Sequence, residues 1–147
     1  MGRVQKATDR ISQFAEKNLR NKKEFGEDAR LAFKRHLNDL KRSEKDDPAF
    51  PYVFVPEKAE DIIELANKLT IAEGEGTREF TCAGFQEFIL GSLFGWINKE
   101  TGKRRFTDSY VQVARQQGKS ILNAILGIKC CNFDGYNYGQ IYCTATK

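Results

Sequence analysis

Seven consecutive residues, Ala114-Arg115-Gln116-Gln117-Gly118-Lys119-Ser120, carry the side-chain types that a polyphosphate requires. A glycine lets backbone N–H groups come close to phosphate oxygens, and Gly118 supplies it. A helix opening immediately afterwards turns unpaired N–H groups and the positive end of its dipole toward the anion. Lys119 can set an ammonium between the outer phosphates, and the Ser120 hydroxyl can take one coordination site on Mg2+. The string G-K-S is short enough to arise by chance, and Val113 stands where a G-x-x-x-x-G-K-S loop has its first glycine. Context carries the reading: the alternating stretch SYVQV precedes the loop and the apolar stretch ILNAILGI follows it, the strand-loop-helix order that phosphate binding demands.

Elsewhere the reactive residue types are scattered. Cys82, Cys130, Cys131 and Cys143 form no C-x-x-C pair and the lone His36 is remote from them in sequence, so neither zinc nor redox spacing is present. They are expected to be buried thiols in a reducing compartment. Asp108 and Asp134 each stand alone, where a solvated carboxylate is the default. Phe85, Phe94 and Trp96 lie along one apolar segment and are expected to serve as core.

The elements that must position the loop follow from periodicity. Ile11, Phe14, Ala15 and Leu19 predict an amphipathic helix over Thr8–Leu19, with Thr8 or Asp9 as its N-cap. Ala29, Phe33, Leu37 and Leu40 predict a second over Asp28–Arg42, making a helical hairpin that Asp46-Asp47-Pro48 closes. After an extended piece at Tyr52–Val55, Pro56 suits the first turn of a helix carrying Ile62, Ile63, Leu65, Ala66 and Leu69. Glu73–Gly76 reads as a surface turn, Phe80–Cys82 as a short extended piece, Phe85–Asn98 as a helix and Gly102 as a tight connection. Strand Arg105–Val113, helix Gly118–Cys130 and strand Gly139–Thr144 then form the strand-helix-strand unit of a parallel sheet.

Composition bounds the rest. With 40% hydrophobic and 30% charged residues the chain has the makeup of a globular domain, not of a disordered or fibrous one. Its net charge of +4 lies entirely in residues 1–47, which hold 13 Lys/Arg against 9 Asp/Glu. That basic end reads either as a solvated helical face or as a contact for nucleic acid phosphates. No apolar run reaches the ~20 residues that span a bilayer, and MGRVQKATDR lacks a signal peptide's apolar core, so a cytoplasmic location is expected.

At these residues the sequence resembles a known family. ARQQGKS is similar to the deviant Walker A motif of bacteriophage and prophage terminase large subunits, in which an arginine precedes G-K-S/T and the first glycine is commonly absent. AGFQEFILGSLFGW resembles the family's adenine motif, RRFTDSYVQV the strand leading into its loop, and IYCTATK the strand after the loop helix. The resemblance spans roughly residues 48–147 and implies an α/β P-loop NTPase fold with a mainly parallel, here incomplete, sheet preceded by N-terminal helices.

It implies ATP and Mg2+ as cofactors, with Arg115, Gln116, Gln117, Gly118, Lys119 and Ser120 cradling the phosphates, Arg115 and Lys119 acting in catalysis and Ser120 binding the metal. Gln86 matches the adenine-reading glutamine, whose amide offers the base a donor and an acceptor. The activity implied is ATP-driven packaging of double-stranded viral DNA in the host cytoplasm. The implied partners are that DNA, the small terminase subunit, the portal ring and further copies of the chain. The Walker B acid, the catalytic glutamate and the nuclease carboxylates of the family find no counterpart in residues 48–147, so an N-terminal portion of the ATPase domain, inactive by itself, is expected. Two other readings share the observations: a helicase-like P-loop motor, and a non-enzymatic basic helical module that binds DNA or protein.

Overall fold

Asp9 opens the first helix as its cap, its side-chain Oδ1 accepting the Ser12 N–H at 2.8 Å. The computed structural model describes residues 9–45, 47–135 and 139–144, so Thr8, Asp46 and Ala145–Lys147 lie outside the described residues. In chain order the elements are α1 (Arg10–Asn18), α2 (Glu27–Glu44), β1 (Tyr52–Phe54), α3 (Pro56–Asn67), β2 (Thr70–Glu73), β3 (Gly76–Glu79), α4 (Gly84–Gly95), β4 (Trp96–Asn98) and α5 (Lys119–Asn132). They fall into two units, residues 1–63 with 82–109 and residues 64–81 with 110–147.

In the first unit α1 packs against both α2 and α4. Acids in the first turn of α2 and Lys41 and Arg42 in its last complement both ends of its dipole. Its buried face, Phe33, His36 and Asp39, meets an aromatic cluster in which Phe33 stands edge-on to Phe14, Phe25 and Phe88. Three glycines of α4 let neighbours press against its backbone: a Cβ on Gly84 would lie 2.6 Å from Phe14, on Gly91 2.5 Å from Ile11, and on Gly95 2.3 Å from Phe54. Arg10 ties α1 to α3 and α4 through Glu60 at 2.9 Å and Glu87 at 3.0 Å.

The helix expected over Phe85–Asn98 ends at Gly95, and Trp96–Asn98 forms β4, antiparallel to β1 in the register Tyr52↔Asn98, Val53↔Ile97, Phe54↔Trp96. The segment is apolar on nearly every side, so periodicity marks no end for it; the ladder to β1 and burial of Trp96 to 1% exposure decide where the helix stops. Asn98 Oδ1 then accepts the N–H groups of Glu100 and Thr101, Gly102 takes φ +66°, and Arg104 returns to form an antiparallel bridge with Ile97.

The second unit contains the hairpin β2–β3, paired from Thr70↔Glu79 to Glu73↔Gly76. The expected surface turn is its two-residue connection, Gly74-Glu75, with Gly74 at φ +60° as a type II′ turn requires. The flanking strands were not foreseen, because Thr70–Glu79 has little apolar alternation to announce them. Helix α5 buries Leu122, Ile125 and Lys129 along one face. Past it, Gly139 and Ile141 return along the helix: the Cys131 thiol donates to Gly139 O at 3.3 Å, and a Cβ on Gly127 would lie 3.2 Å from Ile141 Cδ1.

The molecule is thus mixed α/β, but among the described residues both sheets are antiparallel pairs, and neither Arg105–Val113 nor Gly139–Thr144 is a strand. Among the described residues of the former, only Arg105 bonds to a strand, its N–H donating to Trp96 O at 2.9 Å beside the Ile97–Arg104 bridge. Side-chain alternation selects a face, whereas a strand exists only through a neighbour's ladder, which local pattern does not supply. Among the described residues no helix is long and apolar enough to cross a membrane.

Candidate functional site at the Ala114–Ser120 loop

The loop is built by two left-handed residues. Gln116 has φ +63°, the sole non-glycine with positive φ among the described residues, and Gly118, the N-cap of α5, has φ +76°. A side chain held in that region costs about 1–2 kcal/mol, and such strain persists where the surroundings impose it. In general, backbone that alternates right- and left-handed residues can turn successive N–H groups to one concave side, as anion nests do.

Lys119 closes the curve. Its ammonium folds back over the loop and donates to Val113 O and Ala114 O, each at 2.8 Å. These carbonyls are the contribution that side-chain reasoning missed; Val113, noted for lacking a glycine's freedom, participates through its backbone. An ammonium has three protons, and two carbonyls hold the charge over the loop while leaving donor capacity for an incoming oxygen.

The loop is open to solvent: residues 114–117, Lys119 and Ser120 are exposed, and Gly118 is half-buried. Among the described residues no backbone carbonyl accepts the N–H of Arg115, Gln116, Gly118, Lys119 or Ser120. These donors lie on an exposed bend at the start of a fourteen-residue helix, where the first N–H groups have no intrahelical partner and the dipole's positive end favours an anion. Ser120 in the first turn of α5 is also exposed. The exposed Arg115 makes no ion pair among the described residues.

Gln86 belongs to the other unit and has a structural task there. It is buried, at 6% exposure, and its Oε1 accepts the Ala83 N–H at 2.9 Å, the reach-back arm of a capping box at the start of α4. Ala83 has no side-chain oxygen to reciprocate. The acceptor that the sequence assigns to a base is therefore engaged by the helix terminus.

The remaining candidates resolve plainly. Only Cys82 is a buried thiol, and burial raises its pKa to about 11; Cys130 and Cys131 are half-buried and Cys143 is exposed, contrary to the expectation that all four are interior. Small size and apolar character favour burial of a cysteine but do not compel it when its segment lies at the surface. Among the described residues no cluster of His, Cys, Asp or Glu could hold a metal ion. Asp108 is exposed and accepts the Thr107 hydroxyl at 2.8 Å. Phe94 and Trp96 are core, at 4% and 1% exposure, and Phe85 is half-buried.

Comparison with known proteins adds one finding. Residues 84–147, which include Gln86 and the whole loop, match the family described as terminase large subunit, ATPase domain. No curated protein and no solved structure matches the chain. The match is confined to residues 84–147, and over that stretch the chain is similar to the terminase large subunit ATPase-domain family.

Proposed function

We propose that the Ala114–Ser120 loop binds the polyphosphate of ATP with Mg2+, and that the chain serves the motor that packages double-stranded viral DNA. The observation that carries this reading is the loop's own form: left-handed Gln116 and Gly118 on either side of Gln117, with the Lys119 ammonium anchored on the carbonyls of Val113 and Ala114. Backbone donors of the loop and the ammonium of Lys119 would hold the β- and γ-phosphates, and the Ser120 hydroxyl would take one position on the metal. The bound nucleotide would supply the phosphoryl group whose transfer drives translocation. Arg115 suits the charge of the terminal phosphate, because a guanidinium is permanently charged and spans two oxygens. Gln86 would read the base, which requires its amide to serve the helix end and the ligand together.

Binding of a fluorescent ATP analogue in the presence of Mg2+ tests the reading. Lys119→Ala should weaken it at least ~10-fold, the scale of one lost charge-assisted contact to phosphate. Equal affinity of the two proteins, with thermal midpoints unchanged, would remove the loop from the site. DNA, the small terminase subunit, the portal ring and further copies of the chain are the partners this role requires.

A further inference from the structure

A groove of about 420 Å³ runs along the first unit between the end of α1 and one face of α2. Its floor is apolar, formed by Leu19, Leu31 and Leu37, and Leu31 is 53% exposed, one of the few large hydrophobic side chains so open to solvent. Its rim is basic. Arg20, Lys34 and Lys41 are exposed and make no ion pair among the described residues, while Arg30 donates from Nε to Phe25 O. Against these four cations the groove has one acid, Glu27.

The basic excess that the sequence places in residues 1–47 is therefore concentrated in part around an apolar trough. A duplex binds through phosphates and rewards a polar, cationic surface; a leucine floor has no partner on it. A helix carrying leucines on one stripe and acids on its flanks satisfies both features at once, the apolar stripe lying on Leu19, Leu31 and Leu37 and the acids reaching Arg20, Lys34 and Lys41. From Glu27 to Lys41 the α2 face is roughly 21 Å long at 1.5 Å per residue, room for four turns of such a helix.

We propose that this groove docks an acidic amphipathic helix of a partner protein. The inference does not depend on nucleotide binding, since groove and loop lie in different units. The probe is a fluorescein-labelled helical peptide of about twenty residues with a leucine stripe flanked by glutamates, titrated against the full chain and followed by anisotropy. The same peptide with lysines replacing the glutamates is the control, and an unlabelled duplex of about twenty base pairs is the competitor.

The acidic peptide is expected to bind at least ~10-fold more tightly than its lysine counterpart, to lose ~10-fold or more with Leu31→Asp and with Lys34→Glu/Lys41→Glu, and to resist displacement by the duplex. Equal binding of both peptides, indifference to the variants, or displacement by duplex would each overturn the proposal, the last in favour of nucleic acid. Circular dichroism checks that the variants fold. If Leu31→Asp does not, the charge reversals at two exposed positions decide alone.

Discussion

A glutamine at φ +63° is the residue on which the loop's shape turns. Glycine adopts that conformation freely, whereas a β-branched side chain is strongly excluded from it. Gln116→Gly is therefore expected to retain nucleotide affinity within about threefold, and Gln116→Val to lose several-fold more, as isothermal titration will measure. If both variants bind alike, the left-handed turn is not what forms the site. Lys119→Arg belongs with them, because a planar guanidinium reproduces the charge but not the compact reach to Val113 O and Ala114 O. Its affinity should lie well below that of the unmodified protein.

At the scale of elements, two contacts hold α4 and the following hairpin in place. The ring of Phe54 occupies the space that a Cβ at Gly95 would enter at 2.3 Å, and both partners are buried. Gly95→Ala is expected to destabilise the protein by about 1–3 kcal/mol, read as a lower urea midpoint with unchanged slope. Arg105, immediately after the bridge to β4, donates from Nη1 to Asp39 Oδ2 at 2.7 Å and lies over Phe50 at 4.8 Å and Tyr52 at 5.0 Å. The pair is largely buried, with side-chain exposures of 17% and 8%, so Asp39→Ala would leave a guanidinium uncompensated among aromatic rings. A loss of about 3 kcal/mol is expected in chemical denaturation. The double variant Asp39→Ala/Arg105→Met should recover part of it, and failure to recover any would assign the cost to the cavity rather than to the stranded charge.

Over the whole molecule, the response to acid has a buried source in His36. His36 is buried between α1 and β4: Trp96 Nε1–H donates to its Nδ1 at 3.1 Å, and its Nε2 lies 2.9 Å from Ser12 Oγ. With Nδ1 accepting, Nε2 carries the proton and donates to the serine, so the ring is a satisfied neutral imidazole. Desolvation lowers its pKa to about 4, against the opposing pull of Asp9 and Asp39 and assisted by Arg35. Protonation would also set two N–H groups against each other at Trp96. The folded-state pKa lies below the unfolded value near 6.5, so the unfolded chain takes up the proton first. The stabilisation is complete above about pH 6.5 and is lost as pH falls toward 4, in all roughly 3 kcal/mol. Urea midpoints measured across that range should fall for the native protein and fall less for His36→Gln, itself weaker at neutral pH. Parallel profiles would move the acid sensitivity to other groups.

Much of this was legible in the chain alone, because it is local. Apolar spacing located α1, α2, α3 and α5, Asp9 announced a cap and Pro56 a first turn, and the resemblance to terminase large subunits agrees with the family match over residues 84–147. What depends on a distant partner was not. The end of α4 at Gly95 is set by a ladder to β1 more than forty residues earlier, the strands expected at Arg105–Val113 and Gly139–Thr144 have no such ladder, and the Oε1 of Gln86 serves a helix end. Arg105 reads only as the start of a strand, and nothing local announces that Asp39 is brought beside it. Periodicity records which side of an element faces inward, a property of neighbours along the chain. Which element covers that side, and which backbone groups it satisfies, is settled only when residues far apart in sequence compete for the same contacts, and that competition is the tertiary structure.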